Sequence, residues 1–238
     1  MLILNFVTLF KVKYQTFAKK KQMKKKILNL KKLRTDYNAG MLDEKAVPDD
    51  PFLLFRKWMR EAIKVHQMEP NAACLSTCGQ DCQPRGRMVL LKGMEKEGFI
   101  FFTNYESDKA KEMEFNQRAS LTFYWYSNAR QVRIEGKVKK LSRKQNTAYF
   151  STRPRLSQIG AWASHQSKVI IGREELEDWF EFYKNKFKGK KIPCPDYWGG
   201  YALIPFRIEF WQGRMNRLHD RLVYKRQNGI WEIQRLSP

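Results

Sequence analysis

Arg217-Leu218-His219-Asp220-Arg221 sets an imidazole between two guanidinium groups within five residues. If the segment is extended, the two-residue period of a strand puts Arg217, His219 and Arg221 on one face and Leu218 and Asp220 on the other. Three nitrogen-bearing side chains then converge. Glu209-Phe210-Trp211-Gln212-Gly213 lies just upstream, and flat aromatics beside convergent cations suit an aromatic phosphate ester. Flanking positive charge pushes a histidine toward its neutral form, in which it can accept a proton.

Further anion-handling groups lie earlier in the chain. Arg87-Met88-Val89-Leu90-Leu91-Lys92-Gly93 is a β-prone run bracketed by cations of opposite parity. A regular strand cannot present both on one face, which implies two sites or one sheet edge. Ser107-Asp108-Lys109 opens a helix, where free N–H groups and the helix dipole favour an anion such as a phosphate. Ser151-Thr152-Arg153-Pro154-Arg155 and Ser164-His165-Gln166-Ser167 read as polar loops, and His66 as a helix-surface residue. Cys74, Cys78 and Cys82 recur every four residues and Cys194 stands alone, which is not the spacing of a zinc site. Free thiols in a reducing cytoplasm, and no metal, are expected.

The elements that must position these groups follow from periodicity. Phe52, Phe55, Trp58, Met59 and Ile63 recur at helical spacing and predict a packing helix over Pro51 to Val65. Short β-rich runs follow: Ala73 to Thr77, a turn at Cys78 to Gln80, Arg87 to Leu91, a turn near Glu97-Gly98, and Phe99 to Thr103. Ser107 reads as the N-cap of a helix through Phe115, and strands are expected over Ser120 to Tyr126 and Gln131 to Leu141. Ser142 to Ser151 and Arg173 to Phe187 read as amphipathic helices. Tyr201 to Trp211, Asp220 to Lys225 and Ile230 to Gln234 read as strands, with a hairpin turn at Gln227-Asn228-Gly229. Mostly sequential strands with too few helices for βαβ alternation predict an antiparallel barrel with peripheral helices.

Composition bounds the function. The 238 residues are 42% hydrophobic, enough for one sizeable core. The longest uncharged apolar stretch, Met1 to Phe10, is about half of the roughly 20 residues that a membrane-spanning helix needs. The net charge of +22 is divided: residues 1–35 hold eleven Lys or Arg and no acid, and the other 203 hold 35 basic and 24 acidic residues. The leader reads as a transit peptide or as sequence upstream of a start at Met23. The remainder is moderately basic and fits a phosphorylated small molecule at least as well as a polynucleotide. A basic module stacking its aromatics on single-stranded nucleic acid is the rival from another class. Neither G-x-G-x-x-G nor G-x4-G-K-[ST] occurs.

Taken in order, these segments resemble the pyridoxamine 5′-phosphate oxidase family, also called pyridoxine 5′-phosphate oxidases. The likeness runs through Leu33-Arg34-Thr35-Asp36-Tyr37, Arg87 to Gly93, Phe101-Phe102-Thr103-Asn104, Arg130-Gln131-Val132, Tyr149-Phe150-Ser151-Thr152-Arg153-Pro154, Ser157-Gln158-Ile159-Gly160-Ala161, Ser164 to Ser167, Trp198-Gly199-Gly200, Glu209 to Gly213, Asn216 to Arg221 and Arg235-Leu236-Ser237-Pro238. It leaves residues 1–32 as a basic leader and 33–238 as one domain. What the resemblance implies is a mainly β, FMN-binding split barrel with peripheral helices, a homodimer with the flavin at the subunit interface. It implies an enzyme that oxidises pyridoxine 5′-phosphate or pyridoxamine 5′-phosphate to pyridoxal 5′-phosphate while O2 becomes H2O2, with no nucleic acid or membrane partner. By the same resemblance Arg87, Met88, Val89, Leu90, Phe102, Thr103, Lys109, Gln131, Gln166, Ser167, Trp211 and Arg221 contact FMN. Lys92, Tyr149, Arg153 and Ser157 bind the substrate and its phosphate. Arg217, Leu218 and His219 lie over its ring, Arg217 orienting it and His219 accepting a proton or positioning it. Arg34, Thr35, Asp36 and Tyr37 form a segment covering the site. One position departs: Asp108 stands where the family has an arginine before its lysine. The nearest rival within the fold is a split-barrel flavoenzyme acting on a phenazine-type precursor.

Overall fold

The computed structural model describes residues 30–33, 35–37, 40–65, 68–95 and 98–238. The expectations for Arg34, His66, Glu97 and most of the leader lie outside these. The chain divides into two compact units, Met1–Asp36 and Tyr37–Pro238. In the first, Leu30–Lys32 is a single 3-10 turn, closed by the Leu33 N–H donating to the Leu30 carbonyl at 3.1 Å, and Thr35 and Asp36 are exposed.

The second unit is built on eight antiparallel strands: β1 (Ala72–Cys78), β2 (Pro84–Glu95), β3 (Gly98–Asn104), β4 (Arg118–Trp125), β5 (Arg130–Lys140), β6 (Trp198–Gln212), β7 (Asp220–Gln227) and β8 (Ile230–Leu236). They pair in the order β3-β2-β1-β4-β5-β6-β7-β8, and β3 also pairs with β6. The first six of that order therefore close into a barrel, and β7 and β8 extend from it. Inward positions alternate as the two-residue period requires: Leu121, Phe123, Val132, Ile134, Ile208 and Phe210 are all buried. The turn between β7 and β8 places Asn228 and Gly229 at φ 50° and 85°, the left-handed pair that tight hairpins favour.

Five helices accompany the barrel among the described residues: α1 (Pro51–Lys64), α2 (Asp108–Phe115), α3 (Arg143–Thr152), α4 (Arg155–Ala163) and α5 (Arg173–Lys186). Asp50 caps α1 by accepting from the Phe52 N–H at 2.8 Å, and Pro51 occupies its first position, where a missing N–H costs nothing. Its buried face is Phe52, Leu54, Phe55, Trp58 and Ala62, whereas Ile63 of the expected stripe is exposed. Phe55 meets Phe99 and Phe123 edge-on, at centroid distances of 5.0 and 5.1 Å, so this helix plugs the barrel. A second core joins Phe150, Ile159, Phe187, Ile192 and Trp198 under α3, α4 and α5. No helix among the described residues is long and apolar enough to cross a membrane.

Two sequence expectations fail here. Arg155–Ala163, of which Arg155 had been assigned to a polar loop, is helical from Pro154 as its N-cap. Arg217 does not belong to an extended strand: Met215–Arg217 is a 3-10 turn, with Asn216 and Arg217 in the left-handed region at φ 54° and 60°, and β7 begins only at Asp220. The local turn breaks the alternation from which a shared face had been inferred.

Closure also depends on Gly136, at the register shift of β5 against β6. A Cβ there would collide with the backbone carbonyl of Ile204, which cannot move aside as a side-chain tip could. Gly136→Ala is expected to lower stability by about 1–3 kcal/mol, the ordinary cost of overpacking. A denaturant midpoint equal to that of the unmodified protein would contradict this.

Candidate functional site

A cleft of about 500 Å³ lies between β2, β3, α3 and α4, a volume suited to a small ligand. Met88, Val89, Leu90 and Lys92 of β2, Phe102 and Thr103 of β3, Lys109 of α2, Tyr149 and Arg153, Ser157 of α4, and Gln166 all line it. The pairing of β2 with β3 begins at Leu91, beyond Met88, Val89 and Leu90, and slips between Leu91 and Gly93, leaving Lys92 without a partner across the ladder. Arg87 stays outside the lining: its guanidinium donates to Glu112 at 2.9 Å and to the Thr77 hydroxyl. Arg87 and Lys92 thus stand in two environments, one outside the cleft lining and one within it, although strand parity alone does not divide them, since Met88, Val89 and Leu90 all line the cleft.

Among the described residues of its lining none is acidic: Lys92, Lys109 and Arg153 line the cleft together with neutral and apolar residues. Lys109 is buried and donates to Gln166 Oε1 at 3.0 Å, Ser107 Oγ at 3.2 Å and Thr103 Oγ1 at 3.3 Å. Burial, followed by the charge of Arg87, pushes its ammonium below the ordinary lysine value, with Asp108 and Glu112 opposing. Burial likewise lowers Arg153, whose guanidinium lies 4.8 Å from the centroid of the Trp198 ring. Its Nη1 is buried and has no hydrogen-bond acceptor among the described residues. A buried unpaired donor on a cation is costly, and an entering anion removes that cost.

The walls are aromatic on one side and small on the other. Phe102 stacks on Tyr149 at 3.9 Å and on Trp198 at 5.2 Å, nearly parallel to both. Opposite, α4 and its C-cap present Ser157, Gly160, Ala161 and Ser164. Their spacing of three and four residues was the sequence signal for this helix, masked because small residues carry little apolar contrast. Trp198, Gly160, Ala161 and Ser164 had been given no role from sequence.

At the head of α2, Ser107 occupies the N-cap position but does not cap. Its hydroxyl donates to the Asn104 carbonyl at 2.7 Å, and the Asp108 N–H donates instead to Ser167 Oγ at 3.3 Å. Ser167 is itself left-handed at φ 70°. Asp108 lines a separate depression with Arg85, Lys111 and Glu112, outside the cleft lining.

The remaining candidates form a second cluster. Trp211 meets His219 at 4.7 Å and Tyr37 at 5.7 Å, and Tyr37 meets His219 at 5.9 Å. Gln131 and Arg221 stand opposite Trp211 on the flanking strands. His219 Nδ1 accepts from the Arg214 backbone N–H at 3.0 Å, so the neutral ring carries its proton on Nε2 and presents a donor. Burial, then the charge of Arg217, lowers its pKa, against the opposing charge of Asp220. Arg217 and Leu218 project into solvent. None of these residues lines the cleft. Glu209, whose segment sequence singled out without giving this residue a role, underlies the cluster: it is buried and binds Arg207 at 2.8 Å, Arg221 at 2.9 Å and Arg133 at 3.1 Å. Burial alone would raise its carboxyl, but the hydrogen bonds from Arg207 and Arg221 and the charge of Arg133 outweigh burial and lower it.

Comparison with known proteins adds to this geometry. Residues 57–183 match the family described as pyridoxamine 5′-phosphate oxidase, and residues 198–238 match the pyridoxine 5′-phosphate oxidase C-terminal dimerisation region. A pyridoxine/pyridoxamine 5′-phosphate oxidase of Pseudomonas paraeruginosa is 47% identical over 212 residues, covering 88% of this chain and 99% of that protein. One from Leptospira biflexa is 48% identical over 210 residues, covering 88% of this chain and 99% of that protein. Among solved structures, PhzG from Burkholderia lata, in complex with tetrahydrophenazine-1-carboxylic acid, superposes with a TM-score of 0.80 at 28% identity, covering 85% of this chain and all of that one. An FMN-binding, pyridoxamine 5′-phosphate oxidase-related protein from Nostoc punctiforme shares the fold with a TM-score of 0.65 at 15% identity, covering 81% of this chain and all of that one.

The lowered carboxyl of Glu209 makes a pH-dependent prediction. A carboxylate whose folded pKa lies below its ordinary value of 4.5 contributes stability that is complete above that value and is lost as pH falls through the folded one. Glu209→Gln should therefore cost about 3–5 kcal/mol near neutrality, and the difference from the unmodified protein should shrink as pH drops below 4.5. Denaturation at a series of pH values checks it, and a pH-independent difference would refute the assignment.

Proposed function

The chain belongs to the pyridoxamine 5′-phosphate oxidase family, and on that premise we propose an FMN-dependent enzyme that converts pyridoxine 5′-phosphate or pyridoxamine 5′-phosphate to pyridoxal 5′-phosphate, reducing O2 to H2O2. The observation that carries the reading is the buried, unpartnered Nη1 of Arg153 in a cleft that holds Lys92 and Lys109 and no carboxylate in its lining. Such a donor set fits phosphate monoesters, each of which brings close to two negative charges. A nucleic-acid groove would instead be expected to run as an open basic track.

The residues fall into two groups of roles. Lys109, Thr103, Gln166 and Ser167, with the Asp108 N–H at the head of α2, would hold the flavin phosphate, while Met88 to Leu90 and Phe102 flank the flavin. Arg87, fixed by Glu112 and Thr77, would add charge at that end. Lys92, Tyr149, Arg153 and Ser157 would bind the phosphate and ring of the substrate. When bound, FMN supplies the two-electron acceptor that no protein side chain provides. The protein's part is orientation, charge complementarity and exclusion of water.

Arg217, His219, Trp211, Gln131 and Arg221 are proposed to complete the cleft of a second copy. Within one chain β6 runs from Trp198 at the cleft to Trp211 in the other cluster, roughly 40 Å of strand path at about 3.3 Å per residue. The match of residues 198–238 to a dimerisation region supports the same arrangement. His219, with Nδ1 engaged by Arg214, acts in this reading as a positioning donor through Nε2, the second of the two roles considered from sequence. Leu218 would pack beside it, and Tyr37, against Trp211 and His219, would cover the site. Free thiols at Cys74, Cys78, Cys82 and Cys194 support a reducing, cytoplasmic setting.

The test follows O2 consumption and aldehyde formation by the flavin-loaded protein with each substrate. Arg217→Met or His219→Ala should slow turnover at least tenfold while the protein stays yellow. Lys109→Ala should mainly weaken FMN retention, by about 1.5–3 kcal/mol for one charge-assisted contact. Absence of turnover with either phosphate ester overturns the oxidase reading, and the reverse pattern among the variants overturns the division of roles. Light scattering should give a dimer. Mixing Arg153→Ala with His219→Ala subunits should restore activity if each cleft draws on two chains.

A further inference from the structure

Asn146 lies in the second turn of α3, three residues before Tyr149 and on the same side of the helix, and seven before Arg153, the extended residue that follows the last turn. It is 3% exposed. Its Nδ2 donates to the Tyr105 hydroxyl oxygen at 3.0 Å, and its Oδ1 accepts from the Gly200 N–H at 2.9 Å. The Tyr105 hydroxyl in turn donates to the Gly200 carbonyl at 3.1 Å. These bonds form a closed ring of one carboxamide, one phenol and one residue's backbone groups. The Gly200 carbonyl also accepts from the Leu141 N–H at 2.9 Å, immediately before α3 begins. Burial holds the Tyr105 phenol above its ordinary pKa, so the hydroxyl keeps the proton it donates.

The ring has space because residue 199 is glycine: a Cβ there would overlap the Tyr105 hydroxyl and the Asn146 amide nitrogen. It sits where two walls of the cleft meet. Trp198, the residue before Gly199, carries the Arg153 guanidinium over its ring, and Phe102, opposite Gly200 across the barrel seam, carries Tyr149. Arg143, the first residue of α3, donates to the Pro195 carbonyl at 2.8 Å and to the Cys194 carbonyl. A ten-residue helix held by polar bonds at that end alone could still rotate by a fraction of a turn and move Arg153 off Trp198. Directional hydrogen bonds to the backbone of β6 fix that register.

We propose that Asn146, through its ring with Tyr105 and Gly200, is a positioning residue for substrate binding, holding α3 so that Tyr149 and Arg153 meet the phosphate of the substrate. The proposal deepens the reading of the cleft given above and rests on it. Lys109, at the other end of the cleft, bonds to Thr103, Ser107 and Gln166 and to none of the ring's residues.

The experiment uses the full-length, FMN-loaded protein and the variants Asn146→Ala, Tyr105→Phe and the double variant. Asn146→Ala should raise KM for pyridoxine 5′-phosphate about tenfold, with kcat changed less than about threefold and the FMN dissociation constant less than about twofold. Tyr105→Phe keeps the aromatic packing and loses only the hydroxyl. It should raise KM about threefold, and the double variant should be no worse than Asn146→Ala alone, because both break one ring. Falls in FMN affinity and thermal stability without a change in KM would mean a merely structural role and overturn the proposal, as would unchanged KM in both single variants. Equilibrium binding of pyridoxal 5′-phosphate separates the two readings. If the unmodified protein oxidises neither substrate yet binds this ester, the oxidase reading fails, and about tenfold weaker binding by Asn146→Ala still supports the ring's role. Equal binding overturns it, and an unmodified protein that binds none overturns both.

Discussion

The pairing of β3 with β6, from Phe99 opposite Leu203 to Asn104 opposite Trp198, is the contact on which the cleft depends. It converts a meandering sheet into a barrel and removes two sheet edges that would otherwise expose unpaired backbone groups. It also sets Phe102 and Thr103 beside Trp198 and Gly200, so the floor of the cleft and the anchoring point of α3 are made by the same seam. Pairing across it brings together segments nearly one hundred residues apart. Gly199 and Gly200 are needed there because Tyr105, Asn146, Leu141 and Phe102 crowd the strand too closely for a side chain.

On that frame the protein keeps positive charge buried without the usual partner. Most arginines of the described chain are paired: Arg85 and Arg87 with Glu112, Arg130 with Glu61, and Arg133, Arg207 and Arg221 with Glu209. Lys109 and Arg153 are the contrast, since neutral acceptors surround the first and an aromatic face carries the second. Burying a cation without a counter-charge costs several kcal/mol, and the depressed ionisation of both groups expresses that cost. Two phosphate-bearing ligands, one at each end of the cleft, would relieve it. Preorganised charge of this kind favours binding without reorganisation.

The second cluster obeys the opposite rule. Glu209 is saturated by three arginines, and the charge it gathers lies beside Trp211 and Arg221 on the outward face of β5, β6 and β7. Its function is rigidity: Arg221 is held side-on, with Nε and Nη2 both directed at Glu209, and its remaining contact is the Ser237 carbonyl near the C-terminus. The aromatic trio of Tyr37, Trp211 and His219 is supported by this platform. None of the three lines the cleft of its own chain, so these chemically suggestive residues stand apart from the cationic groups that do.

Local sequence determined a good deal. The helical recurrence of Phe52, Phe55 and Trp58, the alternation of Leu121, Phe123, Val132 and Ile134, and the Asn228-Gly229 turn each depend on neighbours only a few residues away, so α1, the barrel strands and the last hairpin were legible. The resemblance of ordered motifs identified the family and nominated eleven residues that do line the cleft. What tertiary structure decided was which of these groups meet. The slip at Lys92, the left-handed turn at Asn216 and Arg217 and the ring around Asn146 are absent from any local pattern. Periodicity reports which face of an element is apolar, whereas a bulge, a left-handed residue or a buried amide is selected by the energy of partners that are distant in sequence and adjacent only after the barrel has closed.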